Sequence, residues 1–190
     1  VKLKLLKDIR QCIVCAQHLP NEPRPIVLAS STSKILIIGQ APGQKAHASG
    51  TPWNDPSGDR LRLWLGVDKD AFYDPDLFAL MPMGFCYPGK SRSGDAAPRP
   101  ECAPLWHRRL LDQMPQIQLT LLIGQYAQRY YLKDKMKDGL TDTVKAYKEY
   151  LPAFLPLPHP SPRNVGWFKA NPWFEKEVIK IIREQVEGLR

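Results

Sequence analysis

Six consecutive residues, His159-Pro160-Ser161-Pro162-Arg163-Asn164, put an imidazole, a hydroxyl, a guanidinium and an amide on one short loop. The two prolines fix φ on either side of Ser161 and hold the loop extended and stiff. A stiff loop carrying such groups suits entry into a duplex groove, or retention of a leaving group by a hydrogen-bond donor. A second segment, Gly39-Gln40-Ala41-Pro42-Gly43, directly follows the apolar run Ile35-Leu36-Ile37-Ile38. It fits neither G-x-G-x-x-G nor G-x-x-x-x-G-K-[ST], so no nucleotide cofactor cradled by a phosphate loop is expected. A third segment, Trp53-Asn54-Asp55-Pro56-Ser57-Gly58-Asp59, offers two carboxylates beside a large aromatic ring.

The four cysteines are Cys12, Cys15, Cys86 and Cys102. The first two form a C-x-x-C pair and the last two have fifteen residues between them. Structural disulfides are disfavoured in a cytosolic chain. Four thiolates can close a site around zinc or an iron–sulfur cluster. The spacing is not that of a compact zinc ribbon, and four unrelated buried thiols are an equal alternative on chemistry alone. His18, three residues after Cys15, is a further candidate ligand or a surface residue.

Lys+Arg 27 against Asp+Glu 19 leaves a net charge of +8 on 190 residues. That excess attracts polyanions, nucleic acid first among them, because each neutralised phosphate releases counterions. With 43% apolar and 24% charged residues the chain is expected to fold. Its length suits one domain, residues 1–190, with a core that needs no disulfides. The longest apolar runs, Ile35–Ile38 and Leu119–Ile123 (interrupted by Thr120), are far short of a membrane span. The N-terminus lacks the apolar stretch of a signal peptide, which predicts a cytoplasmic protein. A monomer with no membrane contact is expected.

The elements that must carry these segments alternate. Helices are predicted over 3–11, from about Asp59, over 104–114, 125–132 and 141–150, and from Asn171 as N-cap with Pro172 at the first position. Strands are predicted at 35–38, 78–81, 119–123 and 153–157, with 82–100 a proline-rich, basic loop. Alternation of this kind predicts a three-layer α/β/α domain around a mostly parallel four-stranded sheet. Ligands of such sheets bind beyond the carboxyl ends of the strands. The Gly39–Gly43, Pro82–Pro88 and Pro158–Asn164 loops all fall on that edge.

Together, Gly39–Gly43 after the first core strand and His159–Asn164 after the last resemble the two motifs of the uracil-DNA glycosylase superfamily, over most of the chain and in order. The cysteine layout is similar to that of its iron–sulfur members. The resemblance implies a mainly structural [4Fe–4S] cluster on Cys12, Cys15, Cys86 and Cys102, with zinc as the alternative from spacing. It implies hydrolysis of an N-glycosidic bond to uracil or another deaminated or damaged base in DNA, as part of base excision repair. The nucleotide must first leave the base stack.

The resemblance also assigns roles. His159 would stabilise the departing base anion, and Gln40 would orient water or bond the base. Many relatives carry Asp or Asn where this chain has Ala41, and the iron–sulfur members often carry Glu where it has Gln40. Asp55 is therefore the expected charged group at the sugar, while Asp59 better suits a helix cap. Trp53 would stack on the flipped base, or else pack as a core residue. Ala41 would line the base site. Ser161, Arg163 and Asn164 would meet DNA, with Arg163 as a wedge, a phosphate contact or a stacking group. Lys90, Arg92 and Arg99 would track the backbone. Relatives read uracil with an Asn on the second core strand, and Leu80-Met81-Pro82-Met83-Gly84-Phe85 has none. Two rival readings follow: a catalytically weak or inactive DNA-binding member of the same fold, and a nucleotide or nucleoside hydrolase.

Overall fold

The computed structural model describes residues 3–92 and 94–190. In chain order the strands are β1 (Ile35–Ile38), β2 (Phe78–Leu80), β3 (Lys90–Ser91), β4 (Gly94–Asp95), β5 (Leu119–Ile123) and β6 (Phe154–Leu157). The helices are α1 (Leu5–Arg10), α2 (Gln44–Ser49), α3 (Pro56–Leu65), α4 (Lys69–Phe72), α5 (Arg108–Leu111), α6 (Gln125–Leu132), α7 (Leu140–Lys145), α8 (Val165–Ala170) and α9 (Ile179–Leu189). Two π-helical turns, Ala103–His107 and Phe174–Val178, lead into α5 and α9.

The main sheet runs β2-β1-β5-β6 with every pair parallel, in registers such as Ile35↔Phe78, Ile35↔Leu119 and Leu122↔Pro156. Every residue of β1 and β5 is buried, Thr120 included, as expected of strands covered on both faces. Pro156 is tolerated because β6 is an edge strand of the sheet. Alternate side chains feed two cores. Leu36, Ile38 and Leu122 pack with α1, Trp106, Leu110 and α6 on one face. Ile35, Ile37, Leu121 and Ile123 pack with α3, Val144 and α9 on the other. The three-layer architecture is the one the alternation predicts.

Several local features differ from the sequence expectation. Helix α2 forms where a loop was expected. It buries Ala46 and no large apolar side chain, so it has no periodic signal, and Arg24 supplies what the sequence does not show. The Arg24 guanidinium donates to the C-terminal carbonyls of His47 and Ala48 at 2.6 and 2.9 Å, satisfying groups a helix end leaves orphaned. Helix α3 starts at Pro56, not near Asp59, because Asp55 is the N-cap and a proline suits the first position. The 82–100 segment contains the β3–β4 hairpin. Expected helix 141–150 splits into α7 and a 3₁₀ turn, Tyr147–Glu149. Asn171 does not cap the last helix. Its side chain donates to Trp167 O at 2.8 Å and accepts from Trp173 Nε1 at 3.1 Å, and a π turn precedes α9.

Candidate active site

Beyond the carboxyl end of β1 the first motif continues the sheet. Met83 N–H donates to Gly39 O at 2.8 Å and Gly84 N–H to Gln40 O at 3.1 Å. These bonds bring the loop after β2 alongside Gly39–Gly43, and the loop after β6 closes the third side. A cavity of about 220 Å³ lies between them, with Gln40, Ala41, Trp53, Asp55, Asp95 and His159 among its lining residues.

Trp53 forms one wall. Its backbone is left-handed, with φ 56, a conformation that costs a non-glycine residue roughly 1–2 kcal/mol. The surroundings hold it there. Trp53 O accepts from the buried Arg62 guanidinium at 3.3 Å. A Cβ on Gly58 would fall 1.8 Å from that oxygen, and a Cβ on Gly39 would fall 2.7 Å from the indole Cζ2. The half-buried ring therefore lies over bare backbone, packing against the core on one side and lining the cavity on the other. Trp53 thus packs as a core residue and still lines the cavity.

The expected cap role falls to Asp55 and not to Asp59, while Asp55 stays on the cavity as expected. Asp59, expected as the cap, pairs with Arg62 at 2.6 Å and so helps hold Trp53. Asp55 caps α3 with Oδ1, which accepts from Gly58 N–H at 2.8 Å. Its Oδ2 remains on the cavity side, 3.8 Å from where a Cβ on Gly43 would stand. One carboxylate thus fixes its own position with one oxygen and presents the other.

His159 is set by its loop. Ser161 N–H donates to its Nδ1 at 3.2 Å, Asn164 Nδ2 donates to its carbonyl at 2.8 Å, and Arg60 donates to Ser161 O at 3.2 Å. Since Nδ1 accepts, the ring proton belongs on Nε2. Burial pulls the imidazole below its usual pKa, an effect the Asp55 charge partly offsets. The ring is therefore neutral at pH 7, with an Nε2–H to donate. It lies 5.8 Å from the Trp53 ring.

Among the other expected site residues, Ala41 lines the cavity and Gln40 reaches out of the first motif, its Nε2 donating to Ala96 O at 3.2 Å. Ser161 Oγ accepts from Arg163 N–H at 3.2 Å, so Ser161 and Asn164 shape the loop. Arg163 crosses to the hairpin, where a Cβ on Gly94 would clash with its guanidinium. Lys90 and Arg92 sit exposed on that hairpin. Arg99 is engaged elsewhere: it grips Glu101 through two nitrogens, at 2.5 and 3.2 Å, beside Cys15.

Two residues escaped sequence reasoning. Asp95 lines the cavity from the hairpin, and nothing in a Pro/Gly/basic stretch marks it out. His107 is buried behind the cavity. It donates from Nε2 to Pro82 O at 3.1 Å and accepts at Nδ1 from Tyr131 O–H at 2.6 Å. Burial pulls its pKa down to about 4. It thereby holds the carbonyl of Pro82, a residue that lines the cavity.

Cys15, Cys86 and Cys102 are buried, Cys12 is half-buried, and all four are free thiols. Burial pushes Cys86 up to about 11 and Cys102 up to about 12, and mutual repulsion among the four sulfurs adds to both. The four thiols therefore share one neighbourhood. Trp106, four residues past Cys102 in the same core, has a buried indole N–H with no partner, a donor suited to an inorganic sulfide or thiolate. Among the described residues no His, Cys, Asp or Glu group is gathered tightly enough to hold a metal ion. A cubane cluster asks for a wider set, because each thiolate ligates a different iron. The donor chemistry fits such a group. His18 is exposed.

The family model of the uracil DNA glycosylase superfamily matches residues 26–183, which take in both motif loops, the hairpin, Cys86 and Cys102. A type-4 uracil-DNA glycosylase of Sulfurisphaera tokodaii is 23% identical over 176 residues, covering 83% of this chain and 73% of that protein. A solution NMR structure from Methanosarcina acetivorans, provisionally designated a uracil DNA glycosylase, shares 17% identity at a TM-score of 0.49, covering 85% of this chain and 98% of that one. With the matched segment spanning the whole sheet and every wall of the cavity, the chain belongs to the uracil DNA glycosylase superfamily.

Proposed function

We propose that the protein is a DNA glycosylase that hydrolyses the N-glycosidic bond to uracil or another deaminated or damaged base, a step of base excision repair. It would act as a single-domain cytoplasmic monomer. The observation that carries this reading is the pairing, in one cavity, of a neutral imidazole bearing Nε2–H with the presented oxygen of Asp55.

The chemistry needs charge managed at both ends of one bond. The extruded nucleotide places its base against Trp53, at an unstacking cost of a few kcal/mol. The C1′–N bond breaks and its electron pair leaves with the base. His159 Nε2–H stabilises the resulting anion. Asp55 Oδ2 faces the cationic sugar and takes a proton from water as the water oxygen bonds to C1′. The products are an abasic sugar and the free base, reprotonated at nitrogen. Neutrality of His159 matters because a donor that keeps its proton stabilises the anion without adding a proton transfer.

Cys12, Cys15, Cys86 and Cys102 would hold a [4Fe–4S] cluster, with zinc the alternative. Bound there, the group would cross-link the N-terminal segment to the loops flanking the hairpin. Two features favour a second reading, a DNA-binding member without catalysis: Gln40 and Ala41 bring no charge to the first motif, and Pro82 brings no polar side chain from the end of β2. One experiment separates the two. Oligonucleotides carrying uracil, hydroxymethyluracil, xanthine or hypoxanthine are incubated with the protein and scored for abasic sites. Abasic sites on at least one of them are expected, and none on any supports the binding module.

A further inference from the structure

Two carboxylates reach the point beside the α-carbon of Gly43. A methyl group there would stand 3.4 Å from Asp95 Oδ2 and 3.8 Å from Asp55 Oδ2. The two come from unrelated parts of the chain, Asp55 from the cap of α3 and Asp95 from the end of the hairpin. Gly43 has φ −78 and ψ 174, a conformation open to any residue. Its missing side chain is therefore not a demand of the backbone. What it leaves is open space between two negative charges.

The hairpin is held in that position from several sides. Gln40 Nε2 donates to Ala96 O at 3.2 Å, Ala96 N–H donates to Gly89 O at 2.8 Å, and the Arg163 guanidinium lies against Gly94. The Asp55 charge acts on His159 and the Asp95 charge on Tyr87, so the second carboxylate adds negative potential without crowding the imidazole. Like charges brought to one point are unfavourable unless something positive comes between them. Asp95 is exposed at the mouth of the cavity. A nucleotide entering the cavity would cover it, and covering strengthens its field.

We propose that Asp95 is a second catalytic carboxylate. With Asp55 it forms the negative pole that stabilises the cationic sugar as the C1′–N bond breaks. Asp95 acts by charge alone: the bond's electron pair leaves with the base, water supplies oxygen to C1′, and the water proton goes to Asp55. The charge that Gln40 and Ala41 do not bring to the first motif is thereby supplied from the hairpin. This inference rests on the glycosylase reading above.

The test compares two uncleavable duplexes that differ by one charge. One carries a pyrrolidine in place of the sugar, protonated where the cation would form, and the other carries the neutral tetrahydrofuran. The full-length protein should bind the pyrrolidine duplex more tightly. Asp95→Asn should reduce that preference by roughly tenfold or more. Gly43→Ala, which the backbone accommodates, should reduce it too by interposing a methyl group. Removing a negative charge near phosphates raises affinity for both duplexes alike, so the ratio is the measure. No preference in the parent protein, or an unchanged ratio in Asp95→Asn, overturns the proposal. If the parent cleaves no base yet loses its pyrrolidine preference in Asp95→Asn, the glycosylase reading fails and the negative pole stands. If it cleaves and the ratio does not move, the glycosylase reading stands and Asp95 is not part of the pole.

Discussion

Ser161 N–H donates to His159 Nδ1 across 3.2 Å, and this contact decides which imidazole nitrogen carries the proton. Pro160 and Pro162 have no N–H to give, so Ser161 supplies the amide in the middle of the loop. His159→Ala should lower single-turnover cleavage about a hundred- to a thousandfold, the usual loss for one preorganised donor, with DNA affinity within a few-fold of the parent. Because burial keeps the ring neutral, the rate should stay flat as pH falls through about 6.5, where a solvent-exposed histidine would titrate. A pH–rate profile with a break at 6.5 would contradict the assigned tautomer and its setting.

Asp55 serves the helix with one oxygen and the cavity with the other, and the two duties are separable. Asparagine caps helices about as well as aspartate, so Asp55→Asn should melt near the parent temperature while losing cleavage. Asp55→Ala should lose cleavage and also about 1 kcal/mol of stability. Thermal melts alongside single-turnover rates check both. A parent-like rate in Asp55→Asn together with a dead Gln40→Ala would move water positioning to the first motif.

Replacing a helical glycine by alanine ordinarily stabilises a protein by up to about 1 kcal/mol. At Gly58 the sign should reverse, because the new Cβ would meet the Trp53 carbonyl at 1.8 Å and backbone cannot swing aside. Gly39→Ala should be milder, since the indole it meets at 2.7 Å belongs to a side chain. Differential scanning calorimetry should rank Gly58→Ala below Gly39→Ala, and both below the parent.

His107 couples stability to acid. Its folded pKa of about 4 lies below the usual 6.5, so between those values the unfolded chain binds a proton that the folded chain refuses. Stability contributed by the neutral ring is complete above about 6.5 and falls as pH drops toward 4, by roughly 3 kcal/mol. Urea unfolding at pH 7 and pH 4.5 should show the loss, and His107→Gln should flatten it at the cost of lower stability at pH 7. A parent stability independent of pH across that window would place His107 in contact with solvent.

Protein purified without oxygen should be brown and contain about four irons per chain. Cys102→Ser should remove the colour and lower the melting temperature, since it takes one of the four thiolates from the cluster and puts a hydroxyl in a buried place. Stoichiometric zinc in colourless protein would leave the ligands in place and change the metal.

The layered fold could be read from the chain because it rests on burial. The run Ile35–Ile38 is apolar at every position and Leu119–Ile123 at every position but Thr120, and the observed strands end at the predicted residues. The first motif loop could be read for the same reason, as it directly follows Ile38, whereas the second is marked by its own His-Pro-Ser-Pro residues. What could not be read depends on contacts between distant residues. Helix α2 is finished by Arg24, twenty residues upstream, and has no pattern of its own. The π turn after Cys102 carries His107 to Pro82, a meeting that no local spacing announces. Asp55 and Asp59 both precede or open a helix, and the choice of cap was settled by Pro56 at the first helical position and by Arg62 claiming Asp59. Asp95 is brought to the cavity by a hairpin that Gln40 holds through Ala96, a contact across 56 residues.

The β3–β4 hairpin belongs to neither core layer, yet it supplies a wall of the cavity. Its anchors, Gln40 and Arg163, lie on the two motif loops, and its residues contribute to neither core cluster. In engineering terms it is a cassette. The stretch between Gly89 and Ala96 could be exchanged for another of matched span that keeps Gly94 and Asp95, while the hydrogen bond from Ala96 N–H to Gly89 O still closes the graft. Repertoires of lesion preference could then be screened on one unchanged scaffold.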